Sequence, residues 1–355
     1  MRLGFDIIPY QAIFKKPAKT SRNTFEHRDI HFIRLWEEGK ESKVGWGEAA
    51  PLHLLSKDDL PNYDAILRQK LSEFTLEGHI DDSMAFLYPS ITFGIETALN
   101  DLQNGSNQVI FQNSPKQFPL AINGLVWMDD EESMIQQAFK LVAEGFDCIK
   151  FKVGALDFDA ECRILETFRK KHDARNILLR LDANGAFHPI EAKEQLRELR
   201  KFGIQSIEQP IRQGQREEMA RLVAQRIIPI ALDEELIDVQ QKSDLRTLLK
   251  DIKPEFIVLK PSLHGGYAQC LCWIQEANLL NVGFWITSAL ETNIGLNGIA
   301  QFASIYAQGG YQGLGTGTLY KNNIPGPLFV KDGFLQMDPE TPWDFSGILN
   351  PDHLN

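Results

Sequence analysis

The sequence predicts an α/β protein: a (β/α)7β barrel preceded by an α+β unit. Three observations carry that expectation. From about Leu120 onward, short apolar runs recur at near-constant intervals, and helix-like segments fill the gaps between them. Five consecutive runs end in a charged residue, namely Lys152, Asp182, Glu208, Asp233 and Lys260. The intervals are 182 − 152 = 30, 208 − 182 = 26, 233 − 208 = 25 and 260 − 233 = 27 residues. One strand-plus-helix repeat takes roughly 30 residues or a little less.

The first part of the chain, 1–117, reads as the α+β unit. Residues 25–36 and 43–49 look like an antiparallel pair around a polar turn at 37–42, and 60–71 and 90–102 look helical, with Ser90 as the expected N-cap. The polar stretch 104–116, with Gly105 and Pro115, serves as the linker. Within 118–325, strand candidates lie at 120–122, 148–153, 177–181, 204–207, 228–232, 256–259 and 284–286, with a weaker one at 311–314. Their Ile, Leu, Val and Phe content is that of strands buried on both faces. The segment 131–144 puts Met134, Ala138, Leu141 and Val142 on one helical face and stops at Gly145. The segment 188–202 opens with Pro189 and ends at Gly203, the expected asymmetry of a helix. Eight strands with seven full helices describe a (β/α)7β, TIM-like barrel. The tail 326–355 carries Pro327, Pro339 and Pro342, shows no further βα pattern, and is expected to return to the first unit.

Composition narrows the function classes. A formal charge of 37 − 48 = −11 argues against non-specific attraction to nucleic acid or anionic membrane. The four cysteines contain no CxxC pair and read as free thiols of a reducing cytoplasm. Met1 to Asp6 lacks the apolar region of a signal peptide, and no run reaches the ~20 apolar residues of a membrane span. A cytoplasmic protein acting on a small molecule is expected, with homo-oligomerisation left open.

The chemistry sits in the charged recurrence. Charges just past successive parallel strands lie where barrel enzymes build their sites. Lys150 and Lys152 share one face of a strand, and like charges that close oppose each other's protonation, which lowers one lysine towards a neutral amine able to act as a base. An isolated Lys-x-Lys facing solvent would look the same, and single acids at strand ends are common. Three hard carboxylates, Asp182, Glu208 and Asp233, together suit Mg2+, with Mn2+ as the alternative, whereas the absence of Cys and His from these positions disfavours zinc. Lys260 completes the ring opposite Lys152.

These residues resemble the enolase superfamily, in its muconate-lactonizing subgroup. The likeness rests on Lys150-Phe151-Lys152, Asp182 in LDAN, Glu208 in IEQP, Asp233 in LDEE and Lys260 in LKPS. It covers nearly the whole chain, because that superfamily carries an α+β capping domain ahead of its barrel, and Gly45 to Leu52 resembles the loop that closes over substrate. A lysine or histidine base beside Mg2+, stabilising an enediolate, is the superfamily's pattern. Within it the sequence is most similar to the o-succinylbenzoate synthases. Arg180 two before Asp182, the segment Ser288 to Gly295, and the glycine-rich Gly313-Leu314-Gly315-Thr316-Gly317 carry that likeness. Dipeptide epimerases of the subgroup usually place Asp-x-Asp where Gly313 to Gly317 has no acid. A glycine-rich turn can instead aim N–H groups at a carboxylate.

The resemblance implies a syn dehydration of a cyclohexadiene carboxylate in menaquinone biosynthesis. It assigns Lys152 as base, Lys150 as the tuner of Lys152, Lys260 as the cation on the opposite face, and Asp182, Glu208 and Asp233 as metal ligands. Arg180, Asn184, Ser288, Leu290 and Gly315 are the implied substrate contacts. An N-acylamino acid racemase, a dipeptide epimerase or a cycloisomerase would share the metal and both lysines. A non-catalytic scaffold is disfavoured, since all five charged positions are present.

Overall fold

An antiparallel sheet opens the chain in the computed structural model, which describes residues 2–19, 24–116, 118–307 and 309–349. Strand β1 (Leu3–Lys19) pairs with β2 (Thr24–Glu37) from Leu3 opposite Glu37 onward, and β3 (Gly45–Ala49) adds to the other edge of β2 with Glu48 opposite Phe32. The β2–β3 hairpin was expected; β1 was not, because Pro9, Pro17 and the polar residues between interrupt its alternation. Helices α1 (Tyr63–Glu77), α2 (Asp82–Leu87) and α3 (Pro89–Gln103) follow.

The sheet lies unusually close to α3. A Cβ on Gly45 or Gly47 would fall 2.0 Å from the carbonyl oxygen of Ala98 or Gly94, so only glycine permits this approach. Ser90 is not the N-cap of α3. The helix starts earlier, at Pro89, and Asp58 from the preceding loop accepts Ser90 N–H at 2.9 Å and its hydroxyl at 2.6 Å. A cap supplied from 32 residues away leaves no local signal.

Asp101 near the end of α3 ties the unit together. Its fully buried carboxylate accepts N–H groups from Trp46 at 3.0 Å and Gln108 at 2.5 Å. Burial outweighs those bonds and pushes the carboxyl up from 3.8 to about 6. A raised folded-state pKa means that the stabilisation tied to the protonated form is full below 3.8 and is lost as pH rises through about 6. The pH dependence of the unfolding free energy should therefore differ between wild type and Asp101→Asn across that window, the wild type losing more stability as pH rises. Parallel curves by calorimetry would remove Asp101 as the cause.

The barrel follows the expected alternation. Its parallel sheet runs β5 (Gly124–Val126), β6 (Cys148–Lys152), β7 (Leu178–Asp182), β8 (Ile204–Glu208), β9 (Ile230–Leu232), β10 (Phe256–Leu259) and β11 (Gly283–Ile286), each hydrogen-bonded to the next. Helices α4 (Glu131–Ala143), α5 (Phe158–Lys171), α6 (Pro189–Arg200), α7 (Arg216–Ala224), α8 (Lys242–Ile252), α9 (Gly266–Leu279) and α10 (Asn293–Tyr306) come one after each strand. Their buried faces and the strands form one continuous apolar core, with Phe151, Phe168, Leu181, Ile207 and Leu259 at most 1 % exposed.

Two strand positions differ from the sequence expectation. The run at 120–122 supplies β4 (Leu120–Ala121), which pairs antiparallel with β13 (Phe334–Met337) of a small sheet completed by β12 (Leu328–Lys331); the first barrel strand is β5. The eighth strand is reduced to bridges: Gln312 pairs with Ile122 and Gly313 with Thr287, both parallel. Gln312 donates to Ala121 O at 2.8 Å and Gly313 to Ile286 O at 2.9 Å, joining the last strand back towards the first. An apolar run reveals a strand but not its partners: Leu120 and Ala121 pair with β13, while Ile122 bridges Gln312 of the eighth strand. Near the end of the chain, Ile348 of α11 (Ser346–Leu349) joins the cluster of Phe14, Ile30 and Phe32, and Phe345 stacks on Trp46 at 4.6 Å. Residues 350–355 of the tail lie outside the described residues. Among the described residues no helix is long and apolar enough to cross a membrane.

Candidate active site

The charged ring is built by strand register. Lys152 stands opposite Asp182 and Asp182 opposite Glu208 across β6, β7 and β8, so the three side chains leave the same end of the sheet. Lys150, two residues back, points to the same face one layer down. Asp233 and Lys260 directly follow β9 and β10. Five of the six groups are buried, from Glu208 at 0 % to Lys150 at 8 % exposed, and Lys260 is half-buried.

The contacts sort the lysines. Lys150 Nζ donates to both oxygens of Glu208, at 3.0 and 2.9 Å, and to Asp182 Oδ2 at 3.2 Å. Lys152 Nζ donates to Asp182 Oδ2 and Asn184 Oδ1, both at 2.8 Å. Lys260 Nζ donates to Asp233 Oδ2 at 2.5 Å. Asn184 in turn donates to Glu234 Oε1 at 3.0 Å.

Electrostatics follow from that pairing. Burial alone would lower Lys150 and Lys260, but Glu208 and Asp182 for the first, and Asp233 for the second, reverse the sign, so both are held firmly as ammonium ions. Lys152 does not depress Lys150 as their two-residue spacing implied, because Asp182 Oδ2 accepts from both amines. Burial also opposes the charge of Asp182, yet Lys152 and Lys150 hold it well below the usual carboxylate range. Glu208 goes the other way. Burial, with the neighbouring charges of Asp182 and Asp233, pushes it up to about 7 despite Lys150.

The backbone is unusual at the same rim. Asn184, Gln209 and Leu290 have φ of 45°, 38° and 67°, a region that non-glycine residues occupy at a cost. Gln209 directly follows Glu208 and Asn184 lies two residues after Asp182, and Gln209 Oε1 accepts the N–H of Asp233 and of Glu235, both at 3.2 Å. The side chain of Gln209 therefore holds the turn that presents Asp233.

The ring opens onto a cavity of about 830 Å3. Lys150, Lys152, Asp182, Asn184 and Lys260 line it together with Ser288, Leu290 and Gly315, so most of the sequence-selected residues share one space. Arg180 does not line it. Its guanidinium lies over the Trp285 ring at 4.1 Å and donates to Tyr311 O at 2.8 Å and Gln205 Oε1 at 3.2 Å, deeper in the barrel. The hydroxyl of Ser288 is shared with Thr316 Oγ1 at 2.8 Å. Leu52 and Thr316, from the expected loop Gly45 to Leu52 and turn Gly313 to Gly317, also line the cavity, while Phe25 and Glu234 line it without having been expected. Only Glu234, adjacent to Asp233 in LDEE, carried a signal.

Among the described residues no three His, Cys, Asp or Glu side chains stand in a metal-coordinating arrangement, the carboxylates facing lysines instead. The donor set is nevertheless that of a hard cation. Three carboxylates converge from adjacent strands, all their side-chain donors are oxygens, and Asp233 Oδ1 is buried with no hydrogen-bond partner. The chemistry of Asp182, Glu208 and Asp233, though not their arrangement here, suits such an ion.

Comparison with known proteins gives a consistent picture. The enolase C-terminal domain-like family model matches residues 133–342, and the MenC N-terminal domain model matches 8–102. The chain is 39 % identical to an o-succinylbenzoate synthase of Desulfotalea psychrophila, over 91 % of this chain and 96 % of that protein. It superposes on the crystal structure of MenC from Desulfotalea psychrophila LSv54 with a TM-score of 0.81 at 35 % identity, covering 94 % and 99 % of the two chains. The L-Ala-D/L-Glu epimerase of Bacillus subtilis superposes equally well, with a TM-score of 0.81 over 97 % and 98 % of the chains, but at 20 % identity it shares the fold alone.

Proposed function

Since the chain belongs to the enolase superfamily, in its muconate-lactonizing subgroup beside the o-succinylbenzoate synthases, we propose how its buried ring carries out that family's dehydration. The enzyme is a carbon–oxygen lyase of menaquinone biosynthesis. It converts 2-succinyl-6-hydroxy-2,4-cyclohexadiene-1-carboxylate to 2-succinylbenzoate by syn loss of water. The observation that carries this reading is the 39 % identity over 91 % of the chain, supported by the acid-free Gly313 to Gly317 turn. Residues 1–117, joined by Trp343, Phe345 and Ile348 of the tail, act as the cap, and 118–325, with β12 and β13 of the tail packed against it, as the catalytic barrel. The four free cysteines support a reducing, cytoplasmic setting.

When bound by Asp182, Glu208 and Asp233, Mg2+, or Mn2+ in its place, supplies Lewis-acid charge to the substrate carboxylate. The remaining work falls to the chain's own side chains. Lys152, oriented by Asp182 and Asn184, takes the proton α to the carboxylate. It returns that proton to the departing hydroxyl, which leaves as water, and the electron pair of the broken C–H bond completes the aromatic ring. Loss from one face needs only one base. Lys260, held as a cation by Asp233, stays charged and stabilises the anion formed in between. Lys150 neutralises Asp182 and Glu208 and fixes their separation. The N–H groups of the turn beyond Gly313, through Gly317, and Ser288 are assigned to the succinyl end.

The racemase reading differs in one respect, that Lys260 must also transfer protons. Purified protein with Mg2+ should form o-succinylbenzoate from the cyclohexadiene carboxylate, and Lys260→Arg should keep part of that activity, since arginine retains charge but cannot act as a base. In D2O the enzyme should not exchange the α-proton of an N-acylamino acid faster than it dehydrates. Rapid α-deuteration of both enantiomers with no o-succinylbenzoate formed would overturn the synthase assignment.

A further inference from the structure

Arg28 lies on β2, outside the barrel, yet is only 4 % exposed. Its guanidinium donates one N–H to the carbonyl of Ala50 and another to the carbonyl of Ala289. Those carbonyls belong to opposite sides of the interface between sheet and barrel. Ala50 begins the loop whose Leu52 lines the cavity, and Ala289 and Leu290, after β11, line it from the barrel side. Nothing in the lysine–carboxylate ring involves Arg28.

The barrel side is held at several further points. Glu291 accepts Ala289 N–H at 2.6 Å and the hydroxyl of Ser262, two residues beyond Lys260. Tyr320 donates its hydroxyl to Leu290 O at 2.6 Å. Glu48 on β3 accepts Thr292 N–H at 3.0 Å, its hydroxyl at 2.6 Å and Gly295 N–H at 2.9 Å, anchoring the start of α10 to the N-terminal sheet. Leu290 needs this support, because its φ of 67° is left-handed. Leu52, Ile237, Leu263 and Ala289 form a buried apolar cluster against which Leu290 packs, so the loop and the wall touch where Arg28 spans them.

We infer that Arg28 is a positioning residue for the dehydration: by bridging Ala50 O and Ala289 O it sets the spacing between the cap loop and the Ser288 to Leu290 wall, and so closes the substrate's pocket. A planar guanidinium can hold two carbonyls at fixed separation, whereas the point charge of an ammonium cannot. The inference rests on the synthase reading for its substrate, but the closure itself can be observed without turnover.

The test uses Arg28→Gly, Arg28→Lys and Tyr320→Phe in the full chain. All three should raise KM more than they lower kcat, Arg28→Gly most, by about tenfold to a hundredfold, the scale of an ångström-sized misplacement. Low concentrations of guanidinium chloride should restore KM in Arg28→Gly, while sodium chloride of equal ionic strength should not. Hydrogen exchange at 289–292 should speed up in Arg28→Gly and slow again with guanidinium. If Arg28→Gly fails to fold, Arg28→Lys and Tyr320→Phe decide the matter by the same KM shift and exchange change. Wild-type KM and unchanged exchange in those two variants, or a folded Arg28→Gly that guanidinium does not rescue, would overturn the inference. A wild type that forms no o-succinylbenzoate would instead count against the synthase reading, and the exchange experiment would still judge Arg28.

Discussion

Replacing Lys152 with alanine is expected to reduce dehydration to near background. A positioned general acid–base group contributes about 10²–10⁴ in rate. Here one amine serves both to take the α-proton and to protonate the leaving hydroxyl, so the loss should lie at or above the top of that range. Its position supports the role: Nζ sits 2.8 Å from Asp182 Oδ2 and from Asn184 Oδ1, and it lines the cavity. Lys150→Ala should behave differently. Removing that ammonium leaves Glu208, 0 % exposed, without its cation, and breaking a buried pair in this way costs about 3–5 kcal/mol. Lys150→Ala should therefore appear chiefly as a loss of melting temperature and metal affinity, and Lys152→Ala as a loss of turnover in a protein that still melts near wild type. Single-turnover kinetics beside thermal melts separate the two. Near-normal kcat in Lys152→Ala with none in Lys150→Ala would reverse their roles.

Metal removal should have an effect of comparable size. Protein stripped with EDTA is expected to lose turnover and to regain it with Mg2+ and, to an extent set by fit, Mn2+. Glu208→Gln keeps the shape of the side chain but removes one of three carboxylate charges, and should weaken Mg2+ binding by more than about tenfold, measured by titration calorimetry without substrate. The motivation is the all-oxygen donor set and the partnerless Asp233 Oδ1. Full activity in rigorously metal-free protein would falsify the assignment of Asp182, Glu208 and Asp233.

How much of this was legible before folding depends on the range of each signal. A βα repeat is local, so the recurrence of Lys152, Asp182, Glu208, Asp233 and Lys260 placed them on consecutive strands, and the structure brings all five to one end of the sheet. Lys150 followed from two-residue alternation. Arg180 obeyed the same alternation and stands opposite Lys150 in register, but Trp285, Tyr311 O and Gln205 Oε1 hold its guanidinium away from the cavity. The cap of α3 went to Asp58 rather than Ser90 because the donor–acceptor pair is distant in sequence.

The sequence by itself determined the repeat, the order of charges and the oxygen-only character of the acid set, since each of these is carried within one strand–helix unit. The tertiary structure decided what depends on distance between units. It set which sheet received 120–122, how Gln312 and Gly313 replaced a full eighth strand, and which lysine paired with which carboxylate. It alone also brought Arg28 on β2 to Ala289 beyond β11, 261 residues away, because a contact between two domains is written in neither one's periodicity.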